Sequence, residues 1–498
     1  MNPHALKHYF TFFILLVTTL YISYHSPGYD DEFYNVRLHN DIMADKTIKT
    51  LFKGAAEDPL HPSGSYLISL GLKELLGSWQ NVRLLKTLVV ISLIYVCILR
   101  LFPTLNSSNV NWVAVAVFSP SLILYGTGLR WGGEFTAFYL VLLSLDKLIP
   151  NSQKYFFFFV YTIINIVLFN LNYLALILAP LALIFHVQKL YLIKNDKNFP
   201  LFCFVFFIIL NVSIILYFAH LILSINQTTQ TGTLLNSGIG LIHGIFINWG
   251  LFPISYLGFA AFSSVLLLSL LTIINLNRDL FKSTIFLLIG LSILLIFVSG
   301  LGVKYRNVLP LLPLLFGFLI ANTLSTLKTR RKLRPLAIAG LMLFVSTNIF
   351  GFVNVFYHRD TVKGSWNLPI KETLQYFSSK RKTCKTVSIY LWDPVLEFQL
   401  TRNNHVVYAL NNKKQRRNKF DLGDCNFLLS TTTGSYSNHD FFKIQLNLSL
   451  PSKQIGFDKY YKIKNQLGAD APDYYVKIFS LRRNHIELIS SYFTLSQF

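Results

Sequence analysis

The chain reads as an all-helical, polytopic membrane bundle that carries a small α/β domain at its C-terminal end. Three observations give that class. Of 498 residues, 53% are hydrophobic and only 14% charged, with 44 Phe, and a soluble chain of this length would need far more charge to cover its surface. Stretches of roughly 20 apolar residues, each able to cross about 30 Å of hydrocarbon, recur up to position 353. From position 354 the long apolar runs stop, charge rises, and short runs of β-formers alternate with turns.

About eleven spans follow from this pattern, near 8–24, 84–102, 109–126, 132–149, 154–170, 172–191, 198–224, 253–276, 283–301, 307–327 and 335–353. The first has Lys7 at its flank and no small-residue cleavage site after it, so it reads as an uncleaved signal anchor. The loop 25–82 is too long for a tight turn. Within it "YLISLGLKELLGSW" (66–79) puts Leu67, Leu70, Leu75 and Leu76 largely on one side, the pattern of an amphipathic helix lying on the membrane surface. The segment 226–250 is rich in Gly, Thr and Asn, and its short apolar end fits an interfacial or re-entrant piece. Two domains result: 1–353 in the membrane and 354–498 outside it. In the second, "NLPIKETLQYFSSK" (367–380) reads as a helix. Strands are expected at 385–392, 405–410, 425–431 and 474–482, giving a small α/β domain.

Positive charge orients the spans. With the N-terminus inside, the cytoplasmic turns hold Arg100, Lys147, "KLYLIKNDK" (189–197), "NRDLFK" (277–282) and "KTRRKLR" (328–334), while the short outward turns hold few cations. Loop 25–82 and residues 354–498 then face outward, which for a bacterial inner-membrane protein is the periplasm. The net charge of +22 is mostly inside-loop Lys and Arg plus the last domain, which holds 21 Lys and Arg against 11 Asp and Glu. It calls for no nucleic-acid partner. Its densest patch, "NNKKQRRNK" (411–419), suits anionic headgroups, phosphorylated glycans or plain solvation. Cys97 and Cys203 fall in apolar spans. Cys384 and Cys425 fall in the outward domain, where an oxidising compartment permits a disulfide that geometry could still forbid.

With that topology, four groups of ionisable residues collect at span ends on the outward side. They are Asp30, Asp31 and Glu32 in "GYDDEFYN" (28–35); Glu57, Asp58 and His61 in "AEDPLHPSG" (56–64); Arg130 and Glu134 in "GLRWGGEF" (128–135); and Lys304, Tyr305 and Arg306 in "GVKYRNVLPLLP" (302–313). A charge at bilayer depth costs about 2.5–3.5 kcal/mol on insertion scales, so acids and bases gathered at one face point to function. No glycine-rich phosphate loop follows a strand, so a nucleotide-sugar donor is not indicated.

The four segments, in this order and orientation, resemble the C superfamily of integral-membrane glycosyltransferases, in its protein mannosyltransferase and aminoarabinose transferase branches. "GYDDEFYN" is similar to the acidic motif of their first loop, "DPLHPSGSYLISL" to the His-Pro-Pro-Leu segment after it, "LRWGGEF" to their Arg-x-x-x-Glu span opening, and "KYRNVLPLLP" to their late basic-aromatic span. The second motif departs as His-Pro-Ser-Gly and the last as Lys-Tyr-Arg. The resemblance implies inverting transfer of a sugar from a polyprenyl-phosphate carrier to a glycan, lipid or protein hydroxyl at the outer face.

That chemistry needs no acid for the leaving group, because a lipid phosphate departs as a stable anion. It needs cations, and Arg130, Lys304 and Arg306, with Tyr305 beside them, are placed to supply the donor-phosphate contacts. The acceptor hydroxyl needs one general base. The family's base maps onto Asp31, followed by Glu32, with Tyr34 continuing the spacing; Asp30 is the alternative register, and Glu134 supports. Asp58 and His61 would position the acceptor, or join Asp31 in holding a divalent ion, for which two carboxylates and a His are acceptable zinc or manganese ligands. The competing class is a non-transferase of envelope-glycan export: a polymerase, ligase or flippase. The first two would not be expected to open with an acidic triplet after the first span, and a flippase should carry its ionisable groups mid-span.

Overall fold

A computed structural model describes residues 3–25, 64–106, 110–129, 131–150, 152–194, 200–225, 255–275, 280–299, 305–357, 370–391, 394–409, 423–431, 452–456 and 475–482. The helices up to Tyr357 and the sheet from Ile370 onward belong to two compact units.

The first unit is helical throughout: α1 (Pro3–His25), α2 (Gly64–Leu76), α3 (Trp79–Leu101), α4 (Trp112–Val117), α5 (Pro120–Gly126), α6 (Gly132–Leu148), α7 (Lys154–Leu171), α8 (Ala175–Phe185), α9 (Val187–Lys194), α10 (Leu201–Ile225), α11 (Ser255–Asn275), α12 (Leu280–Val298), α13 (Leu312–Thr329) and α14 (Arg334–Tyr357). Five stretches among the described residues are long and apolar enough to cross a membrane: Trp79–Leu101, Lys154–Leu171, Leu201–His220, Asn307–Thr329 and Arg331–Val353. Shorter apolar helices accompany them at Tyr9–His25, Ala175–Phe185, Phe259–Ile274 and Ser283–Val298. The chain is therefore an integral, multi-pass membrane protein.

Burial sorts these helices. The Asn307–Thr329 stretch is 83% buried and forms part of the centre, while Leu201–His220 is 11% buried and presents Phe202, Leu216 and Tyr217 outward. In lipid such apolar exposure carries no penalty, because the acyl chains are as apolar as the side chains. Helix α6 lies inside the bundle, with Phe135, Tyr139, Leu140, Leu142 and Leu143 inaccessible, and α3, α5, α7 and α8 pack around it.

Two expected spans are each a pair of shorter helices. Residues 109–126 divide into α4 and α5 because Ser119 and Pro120 interrupt them. Pro120 has no N–H for the ladder and takes the first position of α5, and the Ser119 hydroxyl caps that helix by accepting from the Leu122 N–H at 3.4 Å. Asn111 caps α4 in the same way, accepting from Ala114 N–H at 3.0 Å. Residues 172–191 divide at His186 into α8 and α9, with Pro180 inside α8. The helix foreseen at 66–79 is α2, which ends at Leu76, and its inward face is different. Tyr66, Ser69 and Leu70 are buried, whereas Leu75 is 78% exposed. The side that packs is chosen by a polar contact through Ser69 as well as by leucine spacing.

In the second unit, α15 (Ile370–Lys380) and α16 (Pro394–Arg402) accompany β1 (Val387–Leu391), β2 (Val406–Ala409), β3 (Cys425–Thr431), β4 (Ser452–Gly456) and β5 (Tyr475–Leu481). The sheet order is β2-β1-β3-β5-β4. β1 is parallel to both β2 and β3, with Ile389 opposite Val407 and Phe427, while β5 runs antiparallel to β3 and β4. Phe377, Leu396 and Leu400 from the helices close over Ile389, Leu391, Phe427, Leu429 and Ile478. A disulfide joins Cys384 to Cys425, tying the approach to β1 to the start of β3. Beside it Asp424 N–H donates to the Thr386 hydroxyl at 2.8 Å, and Thr386 N–H donates to Oδ2 of Asp424 at 3.2 Å. Strand β4 and helix α16 go beyond the elements expected from sequence.

Candidate functional site: a buried polar network at one end of the bundle

Helix α3 opens with "WQNVRLLKTLVV" (79–90), capped by the Ser78 hydroxyl, which accepts from Asn81 N–H at 3.2 Å. Arg83, Lys86 and Thr87 stand three and four residues apart, so they share one face, and that face is turned into the protein. Their exposures are 6%, 5% and 0%. Charges so deep need complete partnering.

Lys86 has it. Its ammonium carries three N–H groups, and three acceptors meet them: the carboxylate of Glu134 as a salt bridge, the Ser69 hydroxyl at 3.1 Å and the Leu129 carbonyl at 2.7 Å. Ser69 Oγ also donates to Leu129 O at 3.0 Å. Glu134 is 6% exposed and sits in the first turn of α6, where the helix dipole favours a negative charge. Arg83 donates from Nη1 to Ser23 O at 3.3 Å, satisfying a carbonyl in the last turn of α1 that has no partner within its own helix. The hydroxyls of Ser23 and Thr87 lie 3.0 Å apart, and both reach Thr127 O, at 3.3 and 3.4 Å.

The site is thus built from α1, α2, α3, the turn between α5 and α6, and the start of α6. Glycines allow the crossing: a Cβ added at Gly133 would come within 1.9 Å of Gly126 O, so the end of α5 and the start of α6 touch backbone to backbone. The end of α7 comes to the same region, since a Cβ on Gly64 would lie 2.5 Å from Asn170 O. The 3₁₀ turn Tyr305–Leu311 packs on α5 and α6, with Val308, Leu309 and Leu311 buried.

Of the residues expected to act, Glu134 lies inside this network. The 3₁₀ turn that packs on its helix begins at Tyr305 and Arg306, whose side chains fall outside the described residues. Asp30, Asp31, Glu32, Asp58, His61, Arg130 and Lys304 also fall outside them. Among the described residues no group of three or more His, Cys, Asp or Glu is placed to hold a metal ion. The donor set Asp31, Asp58 and His61 lies beyond that description.

No protein-family model matches the chain, and no curated protein matches it. Among solved structures it is similar to ArnT from Cupriavidus metallidurans. The apo state of that protein is 12% identical, with coverage of 95% of this chain and 98% of the other and a TM-score of 0.48. The same protein bound to undecaprenyl phosphate is 11% identical, covering 94% and 98%, with a TM-score of 0.47.

Arg83 and Lys86 are the functional candidates that a reading by span ends misses. Placing the start of the span at residue 84 leaves Arg83 as a flanking loop cation and Lys86 as an interfacial one. The helix begins at Trp79, so both are internal and buried. The signal was present in "VRLLKT" (82–87): two bases three residues apart at the head of an apolar run share a face, and long basic side chains there either snorkel or pair.

At the opposite end of α6 a second set of polar contacts is structural in form. His186 Nε2 lies 2.8 Å from Leu142 O, and Lys189 donates to Ile149 O at 3.1 Å while lying 4.5 Å over the Phe157 ring. These cap the end of α6 with cationic and imidazole groups, as its dipole favours.

Proposed function

We propose that this chain is an inverting glycosyltransferase that takes a sugar from a polyprenyl-phosphate carrier and passes it to a hydroxyl of a glycan, lipid or protein acceptor at the outer face of the membrane. The observation that carries the reading is the buried Arg83–Lys86–Glu134 network. Two bases and an acid buried together at one end of a membrane bundle are costly unless each is partnered, and such clusters of buried charge gather at functional sites. A reaction that stabilises a departing phosphate and activates a hydroxyl accounts for such a cluster.

In this reading Asp31 takes the proton from the acceptor hydroxyl as its oxygen attacks the anomeric carbon, and the bond to the lipid phosphate breaks on the opposite side. Glu32, with Asp58 and His61, orients the acceptor. Arg130, Lys304 and Arg306, with Tyr305 beside them, meet the charge that accumulates on the departing phosphate. Glu134 holds Lys86 in the wall of the same region. The Cys384–Cys425 disulfide supports an oxidising surrounding for the second unit, and so an inner-membrane protein with that unit in the periplasm.

The test is transfer from labelled polyprenyl-phosphate sugars to an acceptor pool by the purified protein. Asp31→Asn keeps the shape and removes the base, so turnover should drop by about 10²–10⁴ while polyprenyl-phosphate binding survives. Asp30→Asn should cost much less, and Glu32→Gln should fall between the two. Normal transfer in all three variants and in the Asp30/Asp31 double variant would remove the mechanism.

A further inference from the structure

Helices α13 and α14 are both long and apolar enough to cross a membrane, and only Arg330 and the 3₁₀ turn Arg331–Leu333 separate them. A connection that short between two spans lies at the membrane surface. Five of the seven residues in "KTRRKLR" (328–334) are basic and none is acidic. Two of the five are partly used by the fold. Arg330 donates from Nη2 to Ile274 O at 3.0 Å, and Arg334 donates from Nε to Leu327 O at 3.2 Å, so each satisfies a carbonyl in the last turn of a helix, α11 and α13 respectively. Those contacts fix both guanidinium groups where three helix ends meet, and each fork keeps further N–H groups beyond the one it spends. The side chains of Lys328, Arg331 and Lys332 are exposed and have no hydrogen bond or ion pair among the described residues. Apolar surface continues from the charged turn. Arg334, Ile338 and Met342 stand four residues apart on one face of α14, and Ile338 and Met342 are 49% and 63% exposed. Leu270, Ile273 and Ile274 make a similar exposed stripe at the end of α11, beside the carbonyl that Arg330 holds.

We propose that this turn is a binding site for an anionic phospholipid, with the headgroup phosphate on Arg330, Arg331, Lys332 and Arg334 and the acyl chains along Ile338, Met342 and the end of α11. A phosphodiester only accepts hydrogen bonds, and guanidinium and ammonium donors with no carboxylate in their own segment meet it with charge-assisted ones. A zwitterionic headgroup brings a cation of its own, which the same charges repel. The apolar stripes favour a lipid over a free phosphate, because they give a ligand with chains a surface that runs on from its headgroup. An occupied site joins α11 to the α13–α14 hairpin, since Arg330 belongs to the hairpin and bonds to α11. The site is separate from the network around Lys86. Helix α13 is 18 residues long, so its ends are about 27 Å apart, and the 3₁₀ turn that packs on α5 and α6 is at the other end.

The experiment titrates full-length protein, purified in a nonionic detergent, with dioleoyl-phosphatidylglycerol and counts bound lipid by native mass spectrometry. A detergent micelle of that kind has no bilayer surface potential, so retention reports the site itself. Phosphatidylglycerol should bind about 10-fold or more tightly than dioleoyl-phosphatidylcholine, and its affinity should fall as salt rises. A basic residue near an anionic headgroup is worth about fivefold in affinity, so Arg331→Gln/Lys332→Gln should weaken phosphatidylglycerol binding about 25-fold. Arg331→Lys/Lys332→Arg keeps both charges and should stay within about fivefold of the unaltered protein. Both positions are exposed, so neither change disturbs a packed contact. Equal retention of the two lipids by the unaltered protein overturns the proposal without recourse to any variant. Undiminished phosphatidylglycerol binding by Arg331→Gln/Lys332→Gln overturns it as well, because the lipid would then sit elsewhere. Inorganic phosphate or glycerol 3-phosphate that displaces the lipid at equal concentration overturns the lipid assignment in favour of a free-phosphate site.

Discussion

The Cys384–Cys425 bridge can be tested for both its energy and its location. The two residues are 41 positions apart, and the bond closes a loop that contains β1, α16 and β2. Closing a loop of that length removes unfolded-state entropy worth about 4 kcal/mol at 25 °C in the chain-entropy account. The native side adds little opposing strain, because the neighbouring Thr386–Asp424 hydrogen bonds hold the same two segments together without it. Replacing both cysteines by serine should leave the first unit unaffected and lower the unfolding midpoint of the second unit by roughly 10–20 °C. Thermal proteolysis of the full-length protein, read at cleavage sites after Ile370, would follow that unit alone. Its partner measurement is alkylation with a mass-tagged maleimide on protein taken directly from cells. Cys384 and Cys425 should react only after reduction. Free thiols at both positions in freshly isolated protein would refute the reasoning, because they would put the second unit in a reducing compartment and remove the orientation on which the active face depends. A midpoint change under about 3 °C would refute the energetic part separately.

Three further outcomes follow from the same topology and sites. Arg306→Ala should weaken use of the lipid donor more than use of the acceptor, with Arg306→Lys restoring part of it, since charge returns without the bidentate fork; unchanged donor binding would move the role to Lys304 or Arg130. Accessibility labelling of single cysteines at Lys53, Asn226 and Lys413 should report the outer face, and at Lys194 and Arg331 the inner one; an inner result for Lys53 would separate the acidic loop from the active side. In the second unit, burial and then the nearby Arg381 push the His405 imidazole down to about 4. The unfolded chain therefore binds the proton first, so the contribution is fully present above pH 6.5 and lost as pH falls toward 4, by at most about 3 kcal/mol. His405→Phe should flatten that dependence in pH-resolved unfolding of the second unit, and an unchanged slope would show that another group titrates.

Much of the fold is legible along the chain because it depends on local sums. A run such as "LVVISLIYVCIL" (88–99) is apolar over a membrane's depth whatever its neighbours do, and it lies inside α3. The run of β-formers in "KTVSIYLW" (385–392) becomes β1, buried at every position, and that in "YYVKIFSLR" (474–482) becomes β5, because β-branched and aromatic side chains suit a pleated, packed surface. The Ser119–Pro120 break was equally local, and only a hydropathy window that averages across it hides the end of α4. With Ile455 its one β-branched residue, β4, "SKQIG" (452–456), does not stand out as a run of β-formers.

The sequence by itself determined that this is a multi-pass membrane protein with an α/β unit after it, and it singled out Arg130 and Glu134 as chemically loaded. Only the tertiary structure decided which charges meet. Lys86 and Glu134 are each a costly residue on its own helix, and neither sequence neighbourhood names the other. Their pairing exists because α3 and α6 pack with those faces together, and because Gly126 and Gly133 let the turn between α5 and α6 approach closely enough for Leu129 O to reach the same ammonium. Cys384 and Cys425 are joined for the same kind of reason: β1 and β3 became parallel neighbours, and that choice was made by the packing of the whole sheet. Apolar length is a property each segment carries alone, whereas a hydrogen bond between segments depends on where both of them end up in space.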